Sequence, residues 1–414
     1  MNISKKAKRI TLICSLVYFA SYVMRINFAA MMVKVGAELD VSKTSLAIVV
    51  TALTVAYGAG QVISGILGDR IHPSYMLGGG LFLAATCNTL MFFAKSIPLM
   101  SVIWCVNGFA HSLLWPPIVR IMSTYLQNDE YSYCSLRLYF SSSAGTLFVY
   151  LGAPMLLYVM SWRGVMLICA ALGASVAVIW SLTNKKTLIG PVNVKEKAEN
   201  SAKTAGVPLP RFVYLPTALI IIAIALQGVL RDGVTNWMPS YLLETFNLSE
   251  EHAIVSTVTI AVLSIVSFWF FDLLYRKYIK NEVFCASMIF LGSALCALIL
   301  YFVNELVNIA ALSMLFMALI VGCMYGINLM LITVVPKRFV KSGRVSTISG
   351  VLNAFTYVGS SVSTYAFAAF AESRGWSFTI FTWFIISILG ALAAGGAYPL
   401  WKRFRRTYSD DPNV

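Results

Sequence analysis

The chain has 414 residues, of which 59% are hydrophobic and only 12% charged, with a formal net charge of +14. A water-soluble protein of this length cannot bury so much apolar surface. The apolar residues also fall in long continuous runs, so the composition specifies a polytopic α-helical membrane protein. Runs without period-two alternation exclude an outer-membrane barrel. The cations sit at segment ends on alternating loops, so the basic balance calls for a lipid bilayer and not for nucleic acid.

Lys5, Lys6, Lys8 and Arg9 ahead of an apolar run imitate a secretory signal. The run continues past signal length without a small-residue cleavage site, so it reads as a basic tail and a first spanning helix. Apolar segments centre on about residues 11–33, 44–67, 75–94, 98–125, 135–159 and 163–182. The polar stretch "NKKTLIGPVNVKEKAENSAKTAGVPLPRF" follows, and then six more segments at about 215–243, 251–275, 283–303, 306–334, 345–371 and 377–400. This predicts twelve transmembrane helices in two pseudo-symmetric six-helix bundles: residues 1–183, a linker over 184–212, and 213–414 ending in a basic tail.

Twelve crossings put both termini and the linker on one side. That side carries the N-terminal cations, Arg70, Lys185, Lys186, Lys195, Lys197, Lys203, Arg211, Arg276, Lys277, Lys280, Lys337, Arg338, Lys341, Arg344 and the tail from Lys402 to Arg406. The other side has only Lys34, Lys43, Lys95, Arg163 and Arg374. The basic side is therefore expected to be cytoplasmic, with both termini and the linker there, in a bacterial inner membrane. The eight cysteines form no CxxC or Cys/His cluster, so neither a disulfide framework nor a metal is expected, and no cofactor is implied.

Two arginines lie deep inside apolar segments. Arg25 is about fifteen residues into the first segment and Arg231 about seventeen into the seventh, matching depths in matching helices of the two halves. Such an arginine costs about 2.5–3.5 kcal/mol on insertion scales. Snorkelling suffices for Arg120 and Arg137 near segment ends, but not for Arg25, which has apolar turns on both sides. Residues 11–33 contain no acid, and Asp232, next to Arg231, points about 100° away around an ideal helix, so it is expected to neutralise Arg231 poorly. Both arginines are expected to face a water-filled cavity that takes an anion, since a guanidinium fork gives two parallel hydrogen bonds to phosphate or carboxylate.

The neighbours fit. Tyr18, Tyr22 and Arg25 share one face; Tyr57 and Gln61 share a face of the second segment; Gln227 and Arg231 share one of the seventh. Asn353, Tyr357, Ser360 and Thr364 form a stripe on the eleventh. Gly60, Ser64 and Gly68 recur every four residues, a spacing for close helix contact. Asp69 and Arg70 follow at a cytoplasmic helix end, where charges can lock one conformation. His111 reads as a hydrogen-bonded structural histidine.

The polar linker and "GILGDRIHPSYML" resemble the major facilitator superfamily. More narrowly, "YFASYVMRINF", "AYGAGQVISGILGDR", "WPPIVRIMSTY", "LRDGVTNWMPSYL" and "VVPKRFVKSGRVSTISGVLNAFTYVGSSVS" resemble the organophosphate:inorganic phosphate antiporter family, which includes glycerol 3-phosphate and hexose 6-phosphate carriers. The resemblance implies that Arg25 and Arg231 bind phosphate, helped by Tyr18, Tyr22, Tyr57 and Tyr357. The glycerol-phosphate carrier has a lysine where Gln61 aligns and a histidine where Ser142 aligns, and the usual basic residue after the first arginine is Ile26 here. The expected cavity is therefore less positive, and a monoanion or a carboxylated ligand stays open beside a phosphate ester.

The function expected is exchange of an organic phosphate for inorganic phosphate by alternating access, by a monomer that is not an enzyme. A proton-coupled organic-anion symporter, such as a sugar-acid carrier, is the rival transporter; it needs a titratable group, for which Asp232 is the candidate. A transporter-like sugar-phosphate receptor is the rival of another class.

Overall fold

In the computed structural model the described residues are 3–187, 208–247 and 250–408, and no strand occurs among them. Most of the expected linker, including Lys195, Lys197 and Lys203, lies outside the described residues, as does the side chain of Thr364. The helices run α1 Lys5–Leu39, α2 Lys43–Arg70, α3 Pro73–Phe93, α4 Ile97–Ser112, α5 Trp115–Tyr125, α6 Asn128–Leu157, α7 Trp162–Thr187, α8 Tyr214–Phe246, α9 Glu250–Leu274, α10 Glu282–Phe302, α11 Ala310–Asn328 and α12 Val345–Tyr408.

At 1.5 Å per residue, the 64 residues of α12 exceed two bilayer crossings. Gly375 divides it with a non-helical backbone, φ 79 and ψ 176, in a region that a side chain would disfavour. Among the described residues ten stretches are long and apolar enough to cross a membrane when that run is counted once. Splitting it at Gly375 and adding the 25-residue α9 brings the helical runs of spanning length to twelve. Large apolar side chains such as Phe82, Phe93, Val102, Leu151 and Trp269 point outward, which a lipid solvent permits.

Local chemistry sets the ends. Ser4 caps α1 by accepting from the Ala7 N–H, Ser42 caps α2, and the Asn281 side chain accepts from Val283 and Phe284 at the start of α10. The fourth apolar segment is two helices, because Pro116 and Pro117 offer no N–H to the preceding turn. Leu113 and Leu114 tighten there onto the carbonyls of Ala110 and His111 at 3.2 Å.

Contacts divide the chain into two compact units. The first is Met1–Val207 with Ser342–Ala354, and the second is Pro208–Lys341 with Phe355–Val414. In the first unit α1 packs on α6 and α7, α2 on α4, and α3 on α7, around a core that includes Phe28, Met31, Met91, Trp104, Trp162 and Met166. The small face of α2 behaves as its spacing suggests: a Cβ added at Gly68 would lie 2.8 Å from the Ser346 Cβ, and one at Gly60 2.8 Å from the Ser112 Cβ.

In the second unit α11 packs against α8, α9 and α10. Glu282, with no solvent exposure, accepts from Arg338 at 3.0 and 3.3 Å and from the Trp401 indole at 3.0 Å, and pairs with Arg405 at 3.3 Å. Arg338, in the turn before α12, and Arg405 are thus buried in an ion network with α10.

Candidate functional site

In the first unit α1 presents Tyr18, Tyr22 and Arg25 from successive turns of one face. The Arg25 guanidinium lies 4.3 Å from the centre of the Tyr22 ring and 5.0 Å from that of Tyr57 on α2. Stacking of this kind stabilises a cation by about 0.5–2 kcal/mol and holds its plane in a fixed attitude. Tyr18 meets Tyr22 edge-on at 5.2 Å and Trp115, the tryptophan of the WPP break, in a tilted contact at 5.3 Å, and Trp115 continues to Tyr139 at 6.0 Å. Asn353 donates to the Tyr57 hydroxyl at 3.5 Å. Gly145 lets α6 approach α1 here, since a Cβ on it would lie 2.9 Å from the Phe19 carbonyl oxygen and the Tyr22 Cβ.

Below Arg25 the backbone of α1 is held by three amide side chains. Asn88 of α3 and Asn107 of α4 both donate to the Met24 carbonyl, at 3.1 and 3.2 Å. Asn27 donates to Asn88 at 2.6 Å, and its own oxygen accepts from the Phe28 N–H at 2.9 Å. All three are fully buried. The sequence reading missed them; a single amide in an apolar segment looks incidental, and the available signal is that each of three segments carries one.

In the second unit the expectation for Asp232 is corrected. Arg231 Nε donates to one carboxylate oxygen of Asp232 at 2.6 Å and Nη2 to the other at 2.8 Å. The Cα–Cβ bonds of neighbouring helical residues do diverge, but the arginine stem is long enough to fold its head back across that angle. Ser360 donates to the same carboxylate at 2.5 Å, and the Tyr357 ring lies 5.9 Å from the guanidinium.

The remaining expected residues are placed otherwise. Gln61 is fully buried, and among the described residues neither amide atom is hydrogen-bonded. Gln227 spends its Nε2 on the Met324 carbonyl at 2.9 Å, so it ties α8 to α11. Ser142 donates to its own helix at Tyr139, 2.7 Å away. His111 is buried and shielded from solvent beside the Met24 carbonyl, in keeping with a structural histidine.

At the end of α2 Asp69 accepts from the N–H groups of Ser346 and Thr347 at 2.8 and 2.9 Å, capping the helix that opens at Val345. Arg70 is exposed. Arg120 was read as snorkelling; it donates to the carbonyls of Gly68 and Ile71, satisfying the end of α2.

The chain is 26% identical over 384 residues to the glycerol-3-phosphate transporter of Bacillus subtilis (strain 168), covering 86% of this chain and 84% of the relative. It is 23% identical over 247 residues, 56% of each chain, to the membrane sensor protein UhpC of Escherichia coli (strain K12). Its fold superposes with a TM-score of 0.74, at 12% identity, on an outward-facing bacterial homologue of the iron transporter ferroportin, covering 96% of this chain and 100% of that one. The profile described as Major Facilitator Superfamily matches residues 14–364, and the chain belongs to this superfamily of membrane transporters.

Proposed function

We propose that this transporter exchanges an organic phosphate of the sugar or glycerol phosphate type for inorganic phosphate by alternating access, as a monomer in a bacterial inner membrane with both termini cytoplasmic. The observation that carries the reading is the paired arginines: Arg25 on α1 and Arg231 on α8, at matching depths in the two halves, each beside a tyrosine ring. On this reading each half contributes one guanidinium to the substrate anion. Tyr18, Tyr22, Tyr57 and Tyr357 orient the two forks, with Asn353, Gln61, Gln227 and Ser142 as the polar surroundings, and Asp69 and Arg70 govern switching. The similarity to a glycerol-3-phosphate transporter supports the phosphate assignment.

Counterflow tests it. Proteoliposomes loaded with inorganic phosphate are offered labelled glycerol 3-phosphate, a hexose 6-phosphate and a sugar acid. Phosphate-dependent uptake of a phosphate ester is expected. Uptake into phosphate-free vesicles driven by a pH gradient alone, and abolished by Asp232→Asn, would replace exchange with proton symport.

The likeness to the membrane sensor favours a second reading, a receptor for a phosphorylated sugar. Saturable binding of a phosphate ester without counterflow would support it.

A further inference from the structure

The Arg231–Asp232 pair bears on the charge of the substrate. A guanidinium has two edges that can hold an anion in parallel hydrogen bonds. Asp232 occupies the edge formed by Nε and Nη2, at 2.6 and 2.8 Å. The Ser360 hydroxyl at 2.5 Å fixes the carboxylate from the other side. The second edge, formed by Nη1 and the remaining hydrogen of Nη2, carries no protein hydrogen bond among the described residues. Tyr357 and Tyr325 lie within electrostatic reach of the same group and bring no formal charge.

An anion on that edge meets donors in an ideal arrangement but a pair whose charges cancel. It also sits across one guanidinium from a carboxylate, within the ~4–6 Å over which a charge shifts an ionic equilibrium by roughly ten- to a thousandfold. The first negative charge of a phosphate is accommodated by the fork. A second charge gains nothing at this end and is repelled by Asp232. On the phosphate reading Arg25 supplies the one net positive charge of the site, which matches a single negative charge, and Gln61, Ser142 and Ile26 are neutral and add no cation for a second.

Resting on the phosphate reading above, we propose that Asp232 is a specificity-determining residue that makes this transporter select phosphates in their singly charged form. The chemical class locked in that form is the phosphodiester. Phosphate monoesters and inorganic phosphate enter as their singly charged species.

The test is equilibrium binding by calorimetry to the purified wild-type protein and to Asp232→Asn and Asp232→Glu, using methyl phosphate and dimethyl phosphate. The second ionisation of a phosphate monoester lies near 6, so its singly charged fraction falls from about three quarters at about pH 5.5 to about one hundredth at about pH 8. In the wild type, methyl phosphate is expected to bind roughly tenfold or more weaker at the higher pH, while dimethyl phosphate binds equally at both. Asp232→Glu keeps that profile. Asp232→Asn flattens it, because the doubly charged form is no longer repelled. Wild-type methyl phosphate binding that is unchanged or stronger at the higher pH overturns the inference by itself, whether or not the variants fold. So does an Asp232→Asn protein with the wild-type profile. Failure of both probes to bind the wild type at either pH defeats the phosphate reading, and this inference with it; binding with the opposite charge preference defeats this inference alone.

Discussion

The side-chain amide of Asn27 donates to the Asn88 oxygen at 2.6 Å, two residues from Arg25 and in a site closed to solvent. This bond joins α1 to α3, and Asn88 passes the restraint on to the Met24 carbonyl, the residue before Arg25. Asn88→Leu removes both connections and strands the Asn27 amide in an apolar core. A buried polar group left unsatisfied costs about 1–3 kcal/mol. The variant is expected to unfold at lower temperature in detergent and to bind phosphate more weakly even where it is folded, because the α1 turn that aims the guanidinium is loosened. Thermal unfolding and calorimetry on one preparation check both; unchanged affinity in the folded fraction would confine Asn88 to stability.

Arg25→Lys keeps the charge and loses the planar group that lies on Tyr22 and Tyr57 at 4.3 and 5.0 Å. A charge-assisted hydrogen bond contributes about 1.5–3 kcal/mol, so binding is expected to weaken by roughly ten- to a hundredfold, with exchange nearly abolished. Counterflow and binding on the purified variant decide; near-normal values would make the role of Arg25 purely electrostatic.

Asp69→Ala strips the cap from Ser346 and Thr347, whose N–H groups it accepts at 2.8 and 2.9 Å. Loss of such a cap costs about 0.5–2 kcal/mol. Since Asp69 ends α2 three turns beyond Tyr57, the expected effect is on the rate of exchange, with equilibrium phosphate affinity within about threefold of wild type. Equal loss of affinity and rate would place Asp69 in the binding machinery.

Glu282→Gln leaves Arg338 and Arg405 buried beside a neutral amide. Breaking a buried ion pair from one side costs about 3–5 kcal/mol. A large drop in melting temperature, or no recoverable folded protein, is expected. A melting temperature equal to wild type would show that Trp401 and the two arginines re-form the network without the carboxylate.

Much of the fold could be read in advance because the bilayer imposes a length and a polarity on every crossing, and those properties are local. The arginines stood out for the same reason: Arg25 and Arg231 each violate the local rule. What depends on distant partners could not be read. Nothing in the spacing of Asn27, Asn88 and Asn107 reveals that the last two converge on the Met24 carbonyl and that the first bonds to Asn88. Asn353 meets Tyr57 from 296 residues away in sequence. Asp232 failed for a different reason. The argument from ideal helix geometry treated the side chains as pointing where their Cβ atoms point, whereas arginine is long enough to reach sideways. The tie that Gln227 makes from α8 to the Met324 carbonyl could not be read either, because an amide on the same face as Arg231 gives no sign of which neighbouring helix its Nε2 meets.

The adjacency of Arg231 and Asp232 has a consequence for how the chain is made. A pair formed between consecutive residues exists as soon as the helix does, before any neighbour has arrived. Inserted separately, each charge would cost about 2.5–3.5 kcal/mol at the middle of a bilayer. Joined fork to fork at 2.6 and 2.8 Å, they enter as one dipole. During synthesis α8 can therefore settle in the membrane on its own. By contrast α1, whose residues 11–33 hold Arg25 and no acid, enters with its net charge and gains its restraint on Met24 only when α3 and α4 follow. The two halves of the transporter carry their arginines at matching places in sequence and differ in when the helix around each is restrained: at once in the second half, and only once α2, α3 and α4 have followed in the first.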